Sequence, residues 1–358
     1  MPGKINLKEV MDKFRIESNI ESYGNGHIND TYVCGQPPYI LQRINTSIFK
    51  NVQELMENIE NVTAFLRKKI AAEGGNPNRE TLTVIKTVDG DNFYRYDDNN
   101  VFRVYNFITD TIAIETGEDL QCLYNAGKGF GRFQMMLDDF PVDMLHETIV
   151  DFHNTPKRVE NLKAAIKNDK AGRAHLVEKE IEFALECAEF ADVVVSGIKD
   201  GSIPLRVTHN DTKINNILFD STTKDAVCVI DLDTVMPGSA LYDFGDALRM
   251  GGSTAAEDET DLDKVWFNVE AFESFAKGYC SEMAEKLNAR EKELLAFSAK
   301  LLTYECGIRF LTDYLDGDVY FKIHRENHNI DRARNQFKLV ADIAKKEEKL
   351  NKIIKGMN

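Results

Sequence analysis

The sequence predicts an α+β protein with two lobes: a small antiparallel β-sheet lobe with one long helix, then a larger, mainly helical lobe. Two observations support this fold class. Residues 1–110 carry mostly strand patterns separated by turn sequences, and from Gly117 onward apolar residues recur at helical spacing. Only residues 205–233 interrupt the helical part with strand-like patterns. We therefore predict domains over residues 1–108 and 109–358.

In the first lobe, two hairpins and a long helix are predicted. Residues 31–34 and 39–42 flank Gly-Gln-Pro-Pro, and residues 81–86 and 92–96 flank a turn with Asp-Gly. Between the hairpins, residues 49–72 carry apolar side chains at i, i+3, i+4 and i+7, which predicts a helix. Residues 101–108 alternate between apolar and other side chains, which predicts a further strand.

The second lobe is predicted to be helical on both sides of the strand-rich stretch. Apolar periodicity predicts six helices, over residues 120–138, 159–169, 175–198, 262–283, 291–314 and 331–353.

Composition excludes several classes of protein. The 358 residues carry a net charge of −15, which argues against non-specific nucleic-acid binding. No apolar run approaches the roughly 20 residues of a membrane-spanning helix, and residues 1–4 are not followed by the apolar core of a signal peptide. The six cysteines are scattered, without zinc spacing. We expect a cytoplasmic monomer or small homo-oligomer with reduced thiols and no membrane partner.

One motif carries chemistry. A predicted strand leads into His209-x-Asp211, Asn216 follows five residues later, and the next apolar strand ends at Asp231. This pattern resembles the signature of the aminoglycoside phosphotransferase and choline kinase superfamily, which implies a two-lobed protein-kinase-like fold. A phosphoryl acceptor needs a carboxylate that orients its hydroxyl and accepts the proton, which is the role predicted for Asp211. Magnesium prefers hard oxygen ligands, which Asn216 and Asp231 offer.

Further matches lie in the first lobe. Gly24, Asn25 and Gly26 precede a strand, where glycines let backbone N–H groups close over phosphates. In the order that kinases use, the strand at 101–108 would be the hinge, so backbone groups of Tyr105, Asn106 and Phe107 are expected to bond adenine. These residues are the predicted ATP site.

One expected kinase element is missing. Protein kinases carry a lysine on the third strand that pairs with the phosphates and a helix glutamate. Here Gln42 occupies that position, and strand alternation points the neighbouring Arg43 to the opposite face. This departure leaves open a nucleotide-binding but inactive pseudokinase.

Longer strings resemble one subgroup, the bacterial N-acetylhexosamine 1-kinases, over nearly the whole chain. The matching stretches are 23–29, 39–49, 103–108, 152–156, 200–213, 230–239, 243–246, 305–310 and 317–321. The resemblance implies that His27, Arg309 and Tyr320 contact the sugar beside Asp211, and that third-strand glutamine is usual in the subgroup. Asp243 is expected to brace the loop that carries Asp211.

The sequence therefore predicts an ATP- and Mg²⁺-dependent enzyme that phosphorylates the anomeric hydroxyl of N-acetylglucosamine or N-acetylgalactosamine. A kinase of the same fold acting on an amino alcohol or an aminoglycoside is the alternative.

Overall fold

The computed structural model describes residues 5–17, 19–24, 29–114 and 119–357. The strands are β1 (Ile20–Ser22), β2 (Asp30–Cys34), β3 (Tyr39–Ile44), β4 (Val84–Ile85), β5 (Tyr94–Asp97), β6 (Asn100–Asn106), β7 (Thr111–Ala113), β8 (Arg206–Thr208), β9 (Ile217–Asp220), β10 (Ala226–Val229) and β11 (Met236–Gly238). The α-helices are α1 (Leu7–Lys13), α2 (Val52–Ala72), α3 (Pro77–Glu80), α4 (Leu120–Met136), α5 (Thr155–Asn168), α6 (Glu178–Glu186), α7 (Val193–Asp200), α8 (Ala240–Gly251), α9 (Val269–Met283), α10 (Ala289–Asp316) and α11 (His328–Lys355). This content confirms the predicted α+β class.

The chain forms two compact units. The strand-rich unit comprises Met1–Ile112, Asp139–Val150 and Leu218–Pro237. The helical unit comprises Ala113–Asp138, Asp151–Ile217 and Gly238–Asn358. Compactness thus groups residues 218–237 with the N-terminal strands, and a domain boundary at residue 108 remains a prediction.

The strand-rich unit contains an antiparallel sheet in the order β1-β2-β3-β6-β4, with β5 also paired to β6. The first predicted hairpin is confirmed, because β2 and β3 pair with Cys34 opposite Tyr39. The second hairpin, 81–86 with 92–96, is wrong. Its turn forms, with the N–H of Gly90 donating to Thr87 O at 3.0 Å. However, β4 and β5 do not pair with each other; both pair with the largely buried β6, at different positions along it.

Helix α2 confirms the long helix predicted between the hairpins. It begins after Asn51, whose side-chain oxygen accepts a hydrogen bond from the N–H of Glu54 at 3.3 Å. Its apolar stripe is buried. On the sheet, Leu41 of β3 and Phe102 of β6 share a core cluster with Phe14, which follows α1. This core fixes the strands that carry Gln42 and Arg103.

In the helical unit, close backbone contacts position the polar segments. A Cβ atom on Gly278 of α9 would lie 1.9 Å from the carbonyl oxygen of Tyr124 on α4, so only glycine allows this approach. Likewise, a Cβ on Gly245 of α8 would lie 2.4 Å from the carbonyl oxygen of Ser298 on α10. Helix α8 is therefore held tightly against α10 at the level of its two buried carboxylates, Asp243 and Asp246.

Two predicted helices are corrected. The helix predicted over 175–198 is interrupted. The 3₁₀ turn Ala174–Leu176 precedes α6, and the 3₁₀ turn Cys187–Phe190 separates α6 from α7. The helix over 262–283 begins only at Val269, where the side chain of Asn268 accepts hydrogen bonds from two backbone N–H groups. Apolar periodicity continues across both breaks, so it could not reveal them. In the described part of the chain, every helix is too short or too polar to cross a bilayer.

Candidate active site

A short loop in the helical unit carries the motif with Asp211. We call residues 209–216, between the end of β8 and the start of β9, the 209–216 loop. Strand β8 is anchored at Arg206, whose guanidinium donates to both carboxylate oxygens of the buried Glu291, at 2.7 and 2.9 Å. Glu291 also closes the N-terminal capping box of α10 with Asn288. The loop therefore starts from a fixed strand.

Asp243 braces the backbone of this loop. Its carboxylate, which is 1% exposed, accepts hydrogen bonds from the N–H groups of His209 at 2.9 Å and Asn210 at 2.7 Å. The side chain of Gln134 donates a third bond at 2.6 Å. Asn210 has a φ of 64°, a left-handed conformation that needs such support. Burial raises the pKa of the Asp243 carboxyl above its ordinary value. These contacts confirm the bracing predicted for Asp243.

Asp211 stands at the centre of the loop and keeps some access to solvent, with a side chain 20% exposed. Its own N–H donates to Nδ1 of the buried His209 at 3.2 Å. The Asn216 amide donates to the carbonyl oxygen of Asp211 at 2.8 Å and to its carboxylate at 3.3 Å. The structure thus brings together two of the predicted residues, Asp211 and Asn216.

Lys213 is a residue that sequence reasoning missed. Its ammonium lies 2.8 Å from Oδ1 of Asp211. Burial alone raises the pKa of the Asp211 carboxyl, but this ammonium outweighs burial, and the pKa lies below its ordinary value. Asp211 is therefore a carboxylate at neutral pH. The only signal in the sequence was the two-residue spacing between an acid and a base.

A second carboxylate supports the loop from α8. Asp246 accepts a hydrogen bond from the N–H of Thr212 at 3.0 Å, and the hydroxyl of Thr212 donates to the Asp243 carbonyl at 2.6 Å. Asp246 also pairs with Arg249 at 3.2 Å, and Arg249 donates to Glu257 at 2.6 Å. Helix α8 thus holds the loop at three residues, 209, 210 and 212.

Helix α10 joins the loop to Arg309 through a buried ion pair. Nδ1 of His153 lies 2.8 Å from Glu305, and its Nε2 lies 3.2 Å from the carbonyl oxygen of Asn210. Burial lowers the pKa of His153, but Glu305 outweighs burial and raises it above its ordinary value. Arg309 follows Glu305 by one helical turn and stacks over the rings of Phe152 and Phe321, at 5.8 and 5.5 Å.

Tyr320 lies in the segment after α10, and its ring is 4.8 Å from that of Phe321, over which Arg309 stacks. The buried carboxylate of Asp313 fixes this segment, since it accepts from the N–H groups of Val319, Tyr320 and Phe321 at 2.8–2.9 Å. Tyr320 itself is 67% exposed to solvent. The structure brings together Arg309 and Tyr320, whereas His27 lies outside the described residues.

Asp231 belongs to the strand-rich unit. It follows β10 with a φ of 59°, a left-handed conformation, and it begins the 3₁₀ turn Leu232–Thr234. The carboxylate of Asp231 is a hard oxygen donor of the kind that suits Mg²⁺, and a metal site shared with Asn216 stays a prediction. Among the described residues, no three His, Cys, Asp or Glu side chains converge as a metal cluster.

Gln42, at the position of the missing lysine, contacts an arginine. It lies opposite Arg103 of β6 in the sheet register. Its side-chain oxygen accepts from Nε and Nη2 of Arg103 at 3.1 and 2.8 Å. Arg103 is 1% exposed and forms an ion pair with the buried Asp233. The pairing of Arg103 with Gln42 and Asp233 carried no signal in the sequence, because these partners are distant along the chain.

The predicted nucleotide residues are placed only in part. Gly24 has a φ of 72°, and Asn25 and Gly26 lie outside the described residues. At the end of β6, the N–H of Asn106 donates to Thr83 O at 3.1 Å and that of Phe107 to Pro38 O at 3.3 Å. Both N–H groups are thus engaged within the protein. The role of residues 105–107 toward adenine stays a prediction.

A family model described as "Phosphotransferase enzyme family" (APH) matches residues 19–276 of the chain. Among solved structures, an aminoglycoside phosphotransferase from Alicyclobacillus acidocaldarius is similar, with a TM-score of 0.60, 11% identity and 99% and 97% of the two chains covered. A microcompartment-associated aminopropanol kinase gives a TM-score of 0.58 at 15% identity, with 96% and 98% covered. The choline kinase LicA from Streptococcus pneumoniae gives 0.50 at 12%, with 94% and 97% covered.

At these identities the solved structures show a shared fold, and they confirm the kinase-like architecture predicted from the sequence. The family model covers well over half of the chain and includes the 209–216 loop and Asp231. The chain belongs to the aminoglycoside phosphotransferase family of phosphotransferase enzymes.

Proposed function

We propose that this protein is an ATP- and Mg²⁺-dependent kinase that phosphorylates the anomeric hydroxyl of an N-acetylhexosamine. The observation that carries the proposal is the environment of Asp211. Its carboxylate is ionised, partly accessible, and fixed by a loop whose backbone is bound to two buried carboxylates. An acceptor hydroxyl in phosphoryl transfer needs a rigid proton acceptor of this kind.

The reaction follows from these residues. Asp211 orients the anomeric hydroxyl and accepts its proton as the sugar oxygen bonds to the γ-phosphorus of ATP. The bond between that phosphorus and the bridging oxygen breaks, and ADP leaves with the electron pair. Lys213, at 2.8 Å from Asp211, provides a positive charge beside the transferring group. A bound magnesium ion, held by Asn216 and Asp231, would neutralise phosphate charge.

The acceptor side supports an uncharged polar substrate. Arg309 donates hydrogen bonds and Tyr320 both donates and accepts, which suits the hydroxyls and the acetamide of an N-acetylhexosamine. Burial and the guanidinium of Arg309 lower the pKa of Arg158, so two positive side chains lie near each other here. Glu305 lies near both arginines and offsets part of this charge, so recognition of the acceptor would depend on hydrogen bonding rather than on net charge. The extended resemblance to N-acetylhexosamine 1-kinases points to the same substrate class.

The rival acceptors are amino alcohols and aminoglycosides. Similar structures include an aminopropanol kinase and a choline kinase, at identities of 15% and 12%. An inactive nucleotide-binding protein is the other rival, because the third-strand lysine is replaced by Gln42.

A panel of acceptors separates these possibilities. ADP release would be followed with N-acetylglucosamine, N-acetylgalactosamine, glucosamine, ethanolamine, choline and kanamycin, each with MgATP and with the Asp211→Asn variant as the matched control. We expect release with the N-acetylhexosamines only. ADP release with an amine acceptor alone would identify the protein as an amino alcohol or aminoglycoside kinase instead. Nucleotide binding without ADP release for any acceptor would favour the inactive pseudokinase.

A further inference from the structure

The cluster around Gln42 has a feature that the absence of a lysine does not explain. Arg103 places a full positive charge inside the sheet, and all three nitrogens of its guanidinium contact a polar side chain. Nε and Nη2 donate to Gln42, while Nη1 pairs with Oδ1 of Asp233. Gln42 is held in turn, because its amide donates to the hydroxyl of Thr31 at 3.2 Å. Gln42 is thus the acceptor that orients Arg103.

Asp233 connects this cluster to the turn that carries Asp231. It lies within the 3₁₀ turn Leu232–Thr234 and is 3% exposed. Its second carboxylate oxygen accepts from the side-chain amide of Asn29 at 2.6 Å. The oxygen of that Asn29 amide accepts from the N–H of Asn45 at 3.0 Å. Both oxygens of Asp233 are therefore fixed by side chains of the sheet region, Arg103 of β6 and Asn29, which immediately precedes β2.

Asp231, two residues earlier, has a left-handed backbone conformation, which is uncommon for residues other than glycine. Such a residue persists only where its surroundings fix it. Within the strand-rich unit, the ion pair between Arg103 and Asp233 ties the following turn to the sheet. Arginine suits this role because its planar group can bond Gln42 and Asp233 at the same time, which an ammonium on a flexible stem cannot.

We propose that Arg103 is a positioning residue that fixes the Asp231 turn, and so sets the metal affinity of the site, in place of a third-strand lysine. This inference rests on the metal role proposed for Asp231. It assigns to Gln42 the function of orienting Arg103 and not of binding phosphate. Restoring a lysine at position 42 would therefore set a second positive charge beside a buried guanidinium and would weaken the site.

The test measures metal binding without turnover. Mn²⁺ would serve as the probe, its dissociation constant being determined by electron paramagnetic resonance on the full chain with saturating ADP. The variants are Arg103→Lys and Gln42→Lys. Arg95→Lys is the matched control, because Arg95 is an exposed arginine on β5 of the same sheet. Asp231→Asn tests the metal role itself.

We expect Arg103→Lys and Gln42→Lys each to weaken Mn²⁺ binding about ten-fold or more, as partners behind metal ligands commonly do. Arg95→Lys should bind as the wild type does. Activity lost in Arg103→Lys should return at high Mg²⁺, which a general folding defect would not allow. Circular dichroism and thermal unfolding identify a variant that does not fold, and the double variant Arg103→Gln with Asp233→Asn, which removes both charges, then takes its place.

Unchanged Mn²⁺ affinity in Arg103→Lys, together with weakened affinity in Asp231→Asn, would overturn the inference and leave the proposed function intact. Unchanged affinity in Asp231→Asn would overturn both the metal role and the inference.

Discussion

The 209–216 loop and the Gln42–Arg103–Asp233 cluster each fix the backbone of a segment that carries a carboxylate, but they use different interactions. Each holds a carboxylate with a proposed function, Asp211 or Asp231, on a segment with a left-handed residue. In the loop, buried carboxylates accept hydrogen bonds from backbone N–H groups. In the cluster, a buried guanidinium pairs with a buried carboxylate. Backbone bracing depends on spacing within one loop, whereas the ion pair depends on residues far apart in the chain.

The comparison also concerns function. The loop keeps the side chain of Asp211, the proposed proton acceptor, partly exposed, whereas Asp233 is buried among the residues that bind it. Changes in the loop should therefore act first on turnover. Changes in the cluster should act on metal binding and on stability.

The largest expected effect is on chemistry. Asp211→Asn keeps the size of the side chain but removes the proton acceptor, and general-base catalysis contributes about 10²–10⁴-fold to a rate. We expect turnover to fall by that factor while the dissociation constant of ADP stays within about two-fold of wild type. Single-turnover rates and calorimetric titration measure the two quantities. Turnover within a few-fold of wild type would remove Asp211 from the role of base.

The next comparison is between two aspartates that are equally buried. Asp233→Asn leaves the Arg103 charge without its partner, and breaking a buried ion pair costs about 3–5 kcal/mol in the free energy of unfolding. Asp243→Asn replaces one acceptor of backbone N–H groups, which costs about 1–3 kcal/mol. Urea unfolding of the two variants measures this order. A larger loss in Asp243→Asn would contradict the distinction between the two kinds of brace.

The pH dependence of stability should report on the ion pair between His153 and Glu305, which contacts the loop at Asn210. The pKa of His153 is raised in the folded protein, so the stabilisation from its protonated form is full below its ordinary value of 6.5 and is lost as pH rises through the raised pKa. The pKa of Glu305 is lowered, so its contribution is present above 4.5 and is lost as pH falls through the lowered pKa.

The variant His153→Gln should flatten the alkaline side of this profile. Free energies of unfolding measured from pH 4 to 9 for both proteins would show it, with the exposed substitution Lys352→Gln as the control. An unchanged alkaline slope in His153→Gln would mean that His153 is neutral beside Glu305.

The local parts of this protein could be predicted from its sequence, and the distant ones could not. The hairpin around Gly35, helix α2 and the bracing by Asp243 depend on patterns of a few residues or on a motif of fixed spacing. Asn216 lies beside Asp211 for the same reason. Arg103 reads as one charged residue in an apolar strand, and its partners Gln42 and Asp233 are 61 and 130 residues away, so no pattern joins them.

The errors have similar causes. The pairing of β4 and β5 with β6 depends on a buried strand that offers a better partner than a short strand across a turn. The breaks in the predicted helices over 175–198 and 262–283 arise where capping and turns interrupt a periodicity that continues through them. Lys213 was visible beside Asp211, but its proximity to the carboxylate depends on the turn of the loop.

The position of the transferred phosphate tests the central claim most directly. The protein would be incubated with MgATP and N-acetylglucosamine or N-acetylgalactosamine, and the product examined by ³¹P NMR with proton coupling. The account predicts a sugar phosphate whose phosphorus couples to the anomeric proton alone, formed by the wild type and not by Asp211→Asn. A phosphorus coupled to the two protons on carbon 6, or a product formed equally by the Asp211→Asn variant, would contradict it.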